Sequence, residues 1–170
     1  MRYFSAFLAI LVLGCTQENA PNTLEGATEI ANKVAEDWHP ASFCWGCTAL
    51  VPNWDGTISE DSGGRWQFFY TTKYSRNSFS FFVFADGSVG DVYESTFFDM
   101  GLPANFEAIK IPTLTNDHFA KLLSEAKRYF SDESQLTSVG IHSGGGLEAV
   151  LVTTDCEAAY FDVDTFEVLE

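Results

Sequence analysis

The stretch LEGATEIANKVAEDWHP, residues 24–40, indicates how the chain begins to fold. Its apolar residues recur at steps of three and four from Leu24 to Trp38, the spacing that places them on one face of an α-helix. Asn22 is expected to cap this helix with Glu25 as its reciprocal partner, and the His-Pro pair is expected to end it. Because such a helix is apolar on one side, the fold depends on the surface that the following residues provide.

Short apolar runs with extended character follow this helix and are separated by turn-forming residues; the predicted strands are 49–52, 66–71, 79–84 and 89–93. A second helical stripe runs from Phe119 to Phe130, with Thr115 as its cap. Further strands are predicted at 136–142, 147–153, 158–163 and 167–169. The order therefore predicts an α+β fold of two α-β-β-β(-β) repeats, with one antiparallel sheet and both helices packed on one face.

The predicted repeats occupy residues 24–95 and 115–170, with a connector at 96–114. Their last strands align at an offset of 79 residues, whereas the helices align at a larger offset. The first repeat therefore carries about ten extra residues, which are expected in a loop within 43–62 because loops absorb insertions best.

The composition restricts the partners of this protein. Its 170 residues are 46% hydrophobic, and 24 acidic residues against 9 basic ones give a net charge of −15. That charge repels nucleic acids and anionic membrane surfaces, whose binding requires the opposite sign. The same charge favours a basic partner.

The N-terminal sequence MRYFSAFLAILVLGC, residues 1–15, has one basic residue, a short apolar stretch and a small residue before Cys15. This is the layout of a bacterial lipoprotein signal. We expect residues 1–14 to be the signal peptide, Cys15 to carry the lipid, and residues 15–23 to form the lipidated Cys and a tether. The protein is then held on the cell envelope by lipid alone, and the absence of Asp after Cys15 favours an outer membrane facing the periplasm where two membranes exist.

The remaining cysteines are Cys44, Cys47 and Cys156. Outside the cytoplasm the C-x-x-C pair, Cys44 and Cys47, is expected to form a local disulfide that is structural or redox-labile, with Cys156 as a buried thiol. Two alternatives stay open: a zinc site that adds His39 and Cys156, and a thiol–disulfide oxidoreductase. Covalent haem attachment is disfavoured because Thr48 stands where a His is needed.

The C-terminal sequence FDVDTFEVL, residues 161–169, resembles the closing strand and turn of the PepSY family of extracytoplasmic domains. Phe166 takes the place of the Gly in the family's Thr-Gly-Glu-Val-like turn, and the residues that match are Thr165, Glu167 and Val168. Tandem units of this shape also resemble the beta-lactamase inhibitory proteins. The resemblance implies a non-enzymatic domain that binds or restrains a partner, and it supplies no catalytic residues.

Two features of the first repeat are candidates for partner contact. Phe69, Phe82 and Phe84 interrupt the apolar–polar alternation of their strands, so the sheet is expected to be apolar on both faces. The second repeat or the apolar connector is expected to cover the second face. Trp45 and Trp54 lie in the expected loop, where they either anchor a partner or fold under the loop as a satellite core.

No catalytic motif accompanies His39, His118 or His142, and the acidic residues form no calcium-binding loop pattern. The sequence predicts no catalytic residues, no metal and no cofactor. It favours a lipid-anchored module that binds or inhibits a protein or peptide partner, for example an envelope enzyme or protease. The rival function is an envelope thiol–disulfide oxidoreductase that uses Cys44 and Cys47.

Overall fold

The computed structural model describes residues 19–72, 77–96, 114–131, 133–144 and 147–169. Two helices, α1 (Leu24–Trp38) and α2 (Asn116–Tyr129), each precede four strands. After α1 come β1 (Ser42–Leu50), β2 (Arg65–Thr72), β3 (Asn77–Phe84) and β4 (Val89–Thr96). After α2 come β5 (Leu136–Gly144), β6 (Leu147–Thr154), β7 (Ala158–Asp162) and β8 (Val168–Leu169).

The strands form one sheet in the order β4-β3-β2-β1-β5-β6-β7-β8. Every neighbouring pair is antiparallel, and β1 and β5, the first strands after each helix, meet at the centre. The predicted α+β class is therefore confirmed. The domain boundaries stay predictions, and the connector lies outside the described residues except at its ends.

The strand register assembles one continuous apolar face. A row of side chains crosses six strands on this face, formed by Val83, Trp66, Ala49, Val139, Val152 and Ala159. A second row runs beside it, formed by Phe81, Phe68, Cys47, Ile141, Val150 and Phe161. All twelve side chains are buried, and both helices pack their apolar stripes against them. Because side chains alternate between faces along a strand, the register fixes this face as the core.

The helices and the sheet contribute side chains of different size to this core. The residues of α1 that are buried most deeply are Ala27, Ala31 and Ala35, so the helix backbone approaches the sheet closely. The strands supply the volume, with Trp66 and Phe68 fully buried beneath the helices. Small residues facing large ones allow the two layers to interdigitate at close-packed density.

The helix N-termini cap each other, which the sequence did not indicate. Thr23 caps α1, its Oγ1 accepting from the Gly26 amide at 3.3 Å, so the prediction of Asn22 as the cap is wrong. Glu25 instead reaches α2: its backbone amide donates to Asn116 Oδ1, and its carboxylate accepts from the Asn116 amide, both at 3.0 Å. This carboxylate places a negative charge between two positive helix ends, which stabilises both. Thr115 caps α2 as predicted.

Replacement of Glu25 by Ala should lower the free energy of unfolding by ~1–2 kcal/mol. The variant loses the carboxylate that accepts from the Asn116 amide, and with it the negative charge at the N-terminus of α2. Urea denaturation followed by circular dichroism measures this change. Glu36→Ala is the control, since Glu36 is exposed on the same helix, and it should alter stability by less than ~0.5 kcal/mol. Equal effects of the two substitutions would contradict the role of Glu25.

The C-x-x-C segment lies in a central strand, so the prediction that an inserted loop holds it is wrong. β1 begins at Ser42, seven residues earlier than the strand predicted from residue 49, and contains both cysteines. The loop that follows spans residues 51–64. The sequence pattern failed here because β1 is bulged between Cys44 and Gly46, and the bulge breaks the alternation on which strand prediction relies.

Candidate interaction surface

The bulge in β1 brings Cys44 and Cys47 to the same face of the sheet. Cys44 pairs with Tyr70 and Cys47 with Phe68, and both partners point into the core. Cys47 is fully buried and Cys44 is half-buried. The Cys44 thiol donates to the Gly46 carbonyl at 3.2 Å. The two sulfurs therefore belong to the packed interface beneath α1 and not to a cleft.

Both thiols are free in this structure, so the disulfide stays a prediction. Burial raises the pKa of Cys44 to about 12 and that of Cys47 well above its ordinary value, since each thiolate would lose its hydration. Catalytic thiols are solvent-accessible and have lowered pKa values. This environment gives no support to the oxidoreductase alternative.

The two candidate tryptophans lie on opposite faces of the sheet. Trp45 is the bulged residue of β1 and contacts Phe69 at 5.3 Å between ring centroids, on the face that no described helix covers. Trp54 lies in the following loop and packs against the core near Phe130 of α2, at 6.2 Å. Lys127 of α2 stands over the Trp54 ring at 5.9 Å. The structure therefore does not join Trp45 and Trp54 into one partner-binding site.

The residues considered for metal chemistry do not converge. His39 follows α1, and His118 lies in α2 with its Nε2 hydrogen-bonded to the Val163 carbonyl at 2.5 Å. Cys156 is exposed in the turn between β6 and β7, so the prediction of a buried thiol is wrong. Within the described ranges, no group of three or more His, Cys, Asp or Glu residues is placed to hold a metal ion.

The most unusual surface feature is the β4 edge, which we define as residues 89–96 at the end of the sheet. Val89, Val92 and Tyr93 on this strand are 38%, 54% and 56% exposed. Only three other large hydrophobic side chains in the described part of the chain are as exposed, namely Val51, Tyr129 and Tyr160. The sequence indicated the strand, but not that it would lie at an edge, because its place depends on the pairing of the other strands.

The exposure of the β4 edge follows from the position of the first helix. α1 packs over β1, β2 and β3, and its last residue, Trp38, stacks on Phe79 of β3 with ring centroids 4.8 Å apart. Trp38 also donates to the Glu94 carboxylate at 3.2 Å. Val92, two residues before Glu94 along the strand, is 54% exposed and is therefore not covered by the helix.

A groove opens at the start of the β4 edge, and we call it the hairpin groove. It has a volume of about 400 Å³ and is lined by Glu60, Gly63, Gly64, Arg65, Phe84, Ala85, Asp86 and Ser88. Ser88 immediately precedes the first residue of β4. The Arg65 guanidinium lies over the Phe82 ring at 4.5 Å. The only ion pair among the described residues is that of Arg128 with Glu125, so no cation pairs with the carboxylates of the groove.

The comparisons with known proteins define the fold only. No model of a known protein family matches the chain, and no curated protein sequence is significantly similar to it. The fold is similar to that of a solved structure described as a putative lipoprotein from Clostridium difficile 630, with a TM-score of 0.55 and 8% sequence identity. The similarity covers 82% of this chain and 88% of the other. The PepSY resemblance stays a hypothesis.

Proposed function

We propose that this protein is a lipid-anchored, extracytoplasmic binding module for a protein or peptide partner in the bacterial cell envelope. Its N-terminal lipoprotein-like signal and its fold, which is similar to that of a putative lipoprotein, support the location. No helix in the described ranges is long and apolar enough to cross a membrane, and Cys15 lies outside those ranges. The outer membrane, on its periplasmic side, is the proposed site where two membranes exist.

The observation that carries the binding function is the concentration of exposed apolar side chains on the β4 edge. Scattered surface hydrophobics are ordinary, but several on one unpaired strand expose the protein to aggregation. Here Val89, Val92 and Tyr93 belong to one strand whose outer side pairs with no described strand. A partner that covers this strand removes apolar surface from water and satisfies its backbone groups.

Capture from cells tests the binding function. The full chain with a C-terminal affinity tag is cross-linked in the envelope, and the captured proteins are compared with those of a Val92→Ser, Tyr93→Ser double variant. Capture of a specific envelope protein should fall at least ~fivefold in the variant, because exposed aromatic and aliphatic anchors dominate binding energy. Tyr160→Ser is the control, since Tyr160 is similarly exposed on β7. Capture of no specific protein by the wild-type chain would contradict the proposal.

The lipid anchor gives a separate prediction. Cys15→Ala should remove the mass of the attached acyl chains, because alanine has no thiol to carry them. Intact-mass measurement of the detergent-extracted protein checks this result. A Cys15→Ala chain whose mass differs from that of the wild type only by the substitution itself would show that the signal was misread.

A further inference from the structure

The β4 edge is the only long strand edge that the described part of the sheet presents. The opposite edge strand, β8, has two residues, Val168 and Leu169, whereas β4 has eight. An edge strand carries a row of unpaired amide and carbonyl groups that can pair with another extended chain. Its length therefore makes β4 the place where an added strand can form a useful number of hydrogen bonds.

The start of β4 carries two features that restrict pairing there. Asp91 has a backbone φ of +51°, and the register shifts at this point, so Asp91 and Val92 together stand opposite Phe81. Gly90 is covered by the Phe84 ring, because a Cβ atom at Gly90 would lie 3.0 Å from Phe84 Cε2. A bulge twists the strand and interrupts pairing. The segment from residue 93 to 96 lies beyond this bulge and is the part best suited to accept a strand.

The charges around the β4 edge determine which partner fits. The strand has the sequence VGDVYEST, with two acidic residues and no basic one, and Asp86 lies in the preceding turn. A second copy of this chain would place acidic strands against each other, and each copy carries a net charge of −15. Like charges that face each other across paired strands are destabilising, whereas opposite charges stabilise the pair. An extended basic segment therefore fits this edge better than a second copy does.

The hairpin groove adds a side-chain site at the end of this edge, between the β3–β4 turn and the start of β2. Two carboxylates, those of Glu60 and Asp86, line it, and neither has a cationic partner among the described residues. Arg65 forms another part of the wall, but its guanidinium stacks on Phe82. The volume of about 400 Å³ can hold one Lys or Arg side chain of a segment that lies along β4.

On these grounds, and resting on the proposed binding function, we infer that the β4 edge takes an extended basic peptide segment as an added strand, with one Lys or Arg side chain in the hairpin groove. Backbone hydrogen bonds supply the affinity in this mode, and the groove supplies the preference for a cation. The exposed side chains of Val92 and Tyr93, which are successive residues of the strand, pack against side chains on the two faces of the incoming segment.

A synthetic peptide tests this inference with the full-length protein in detergent. The probe is a capped peptide of about nine residues that alternates Lys with Val and Thr, and its matched control has the same sequence with alternate backbone amides N-methylated. The wild-type protein should bind the probe, and amide hydrogen exchange should slow at residues 89–96. The N-methylated peptide, which keeps the charge but loses backbone donors, should bind at least ~tenfold more weakly.

Variants on the protein separate the contribution of the groove from that of the strand. Asp86 accepts from the Ser88 amide at 2.8 Å, and Asp86→Asn keeps a side-chain oxygen that can accept this hydrogen bond. Combined with Glu60→Gln, it removes both negative charges of the groove and leaves Arg65. Affinity for the probe should then fall ~threefold or more, with protection of β4 retained.

The outcomes are distinguishable from failure of the proposed function. Equal binding of the two peptides, or binding without slower exchange at β4, would overturn strand addition, while capture in cells would still support a binding module. No binding of the probe would overturn the basic-segment inference in the same way. If the wild-type chain binds the probe but captures no specific protein in cells, that result contradicts the proposed function instead.

Discussion

In the folded protein, Cys156 is expected to react with iodoacetamide at least ~100-fold faster than Cys44 or Cys47. Cys156 is exposed in a turn, whereas Cys47 is fully buried and the Cys44 thiol lies in the core interface beneath α1. Because burial raises the pKa of both core thiols, little thiolate is available to react. The measurement is mass-spectrometric alkylation kinetics on a Cys15→Ala chain, which leaves these three thiols.

Unfolding in urea without reductant provides the control for thiol accessibility. All three cysteines should then react at similar rates if the core thiols are free, as they are in the structure. Cys44 and Cys47 that stay unreactive until a reductant is added would instead establish the disulfide predicted from the sequence. Fast alkylation of either core thiol in the folded state would contradict the burial described here and would reopen the oxidoreductase alternative.

The same pKa shifts predict a loss of stability at alkaline pH. Cys44 has a folded pKa of about 12 against an ordinary value of 9.0, so between these values the unfolded chain releases a proton that the folded chain keeps. Stability is therefore fully present below pH 9 and falls as pH rises above it, by at most ~1.4 kcal/mol for each buried thiol at pH 10. Cys44→Ala should lose correspondingly less stability between pH 8 and pH 10 in urea denaturation.

Phe68→Ala should lower the free energy of unfolding by ~3–5 kcal/mol, because it leaves a cavity in the close-packed face of the sheet. Phe68 is fully buried and lies between Phe81 of β3 and Cys47 of β1. Phe69→Ala is the matched control on the adjacent residue of the same strand, which points to the other face. This substitution should lower the free energy of unfolding by only about 1–2 kcal/mol, since Phe69 keeps part of its surface in water.

Urea denaturation of both variants measures the difference. If Phe69→Ala lowers the free energy of unfolding as much as Phe68→Ala does, the second face of the sheet is packed as tightly as the helix-covered face. The sequence predicts cover by the second repeat or by the connector, and the connector lies outside the described residues except at its ends. Among the described residues this second face does include deeply buried positions, since Phe82 is 8% exposed.

The elements predicted best are those with strong local patterns. α1 runs from Leu24 to Trp38 and α2 from Asn116 to Tyr129, as the apolar stripes indicated. Most strand positions also agree, since alternation and Gly-containing turns are local signals. The cap of α1 was missed because Asn22 and Thr23 are both good caps, and the partner of Glu25 lies 91 residues away on α2.

The turn before β8 shows how tertiary contacts override a local preference. Phe166 has a φ of +62° and Gly87 a φ of +83° at the corresponding place before β4. A left-handed backbone favours Gly and strains Phe. The Phe166 ring is held by His118 at 5.1 Å and by the Lys121 ammonium at 5.0 Å, both on α2. These contacts offset the strain, and no local pattern could have shown them.

The amino-acid sequence by itself determined the class of fold, the two helices and most strands, since periodicity and turn residues act between near neighbours. It also predicts lipid attachment at Cys15. Only the tertiary structure decided that β1 lies at the centre with its two cysteines buried, that Trp45 and Trp54 lie on opposite faces, and that β4 is left as a long apolar edge. These features depend on strand pairing and on a bulge, and both are set by contacts between residues far apart in the chain.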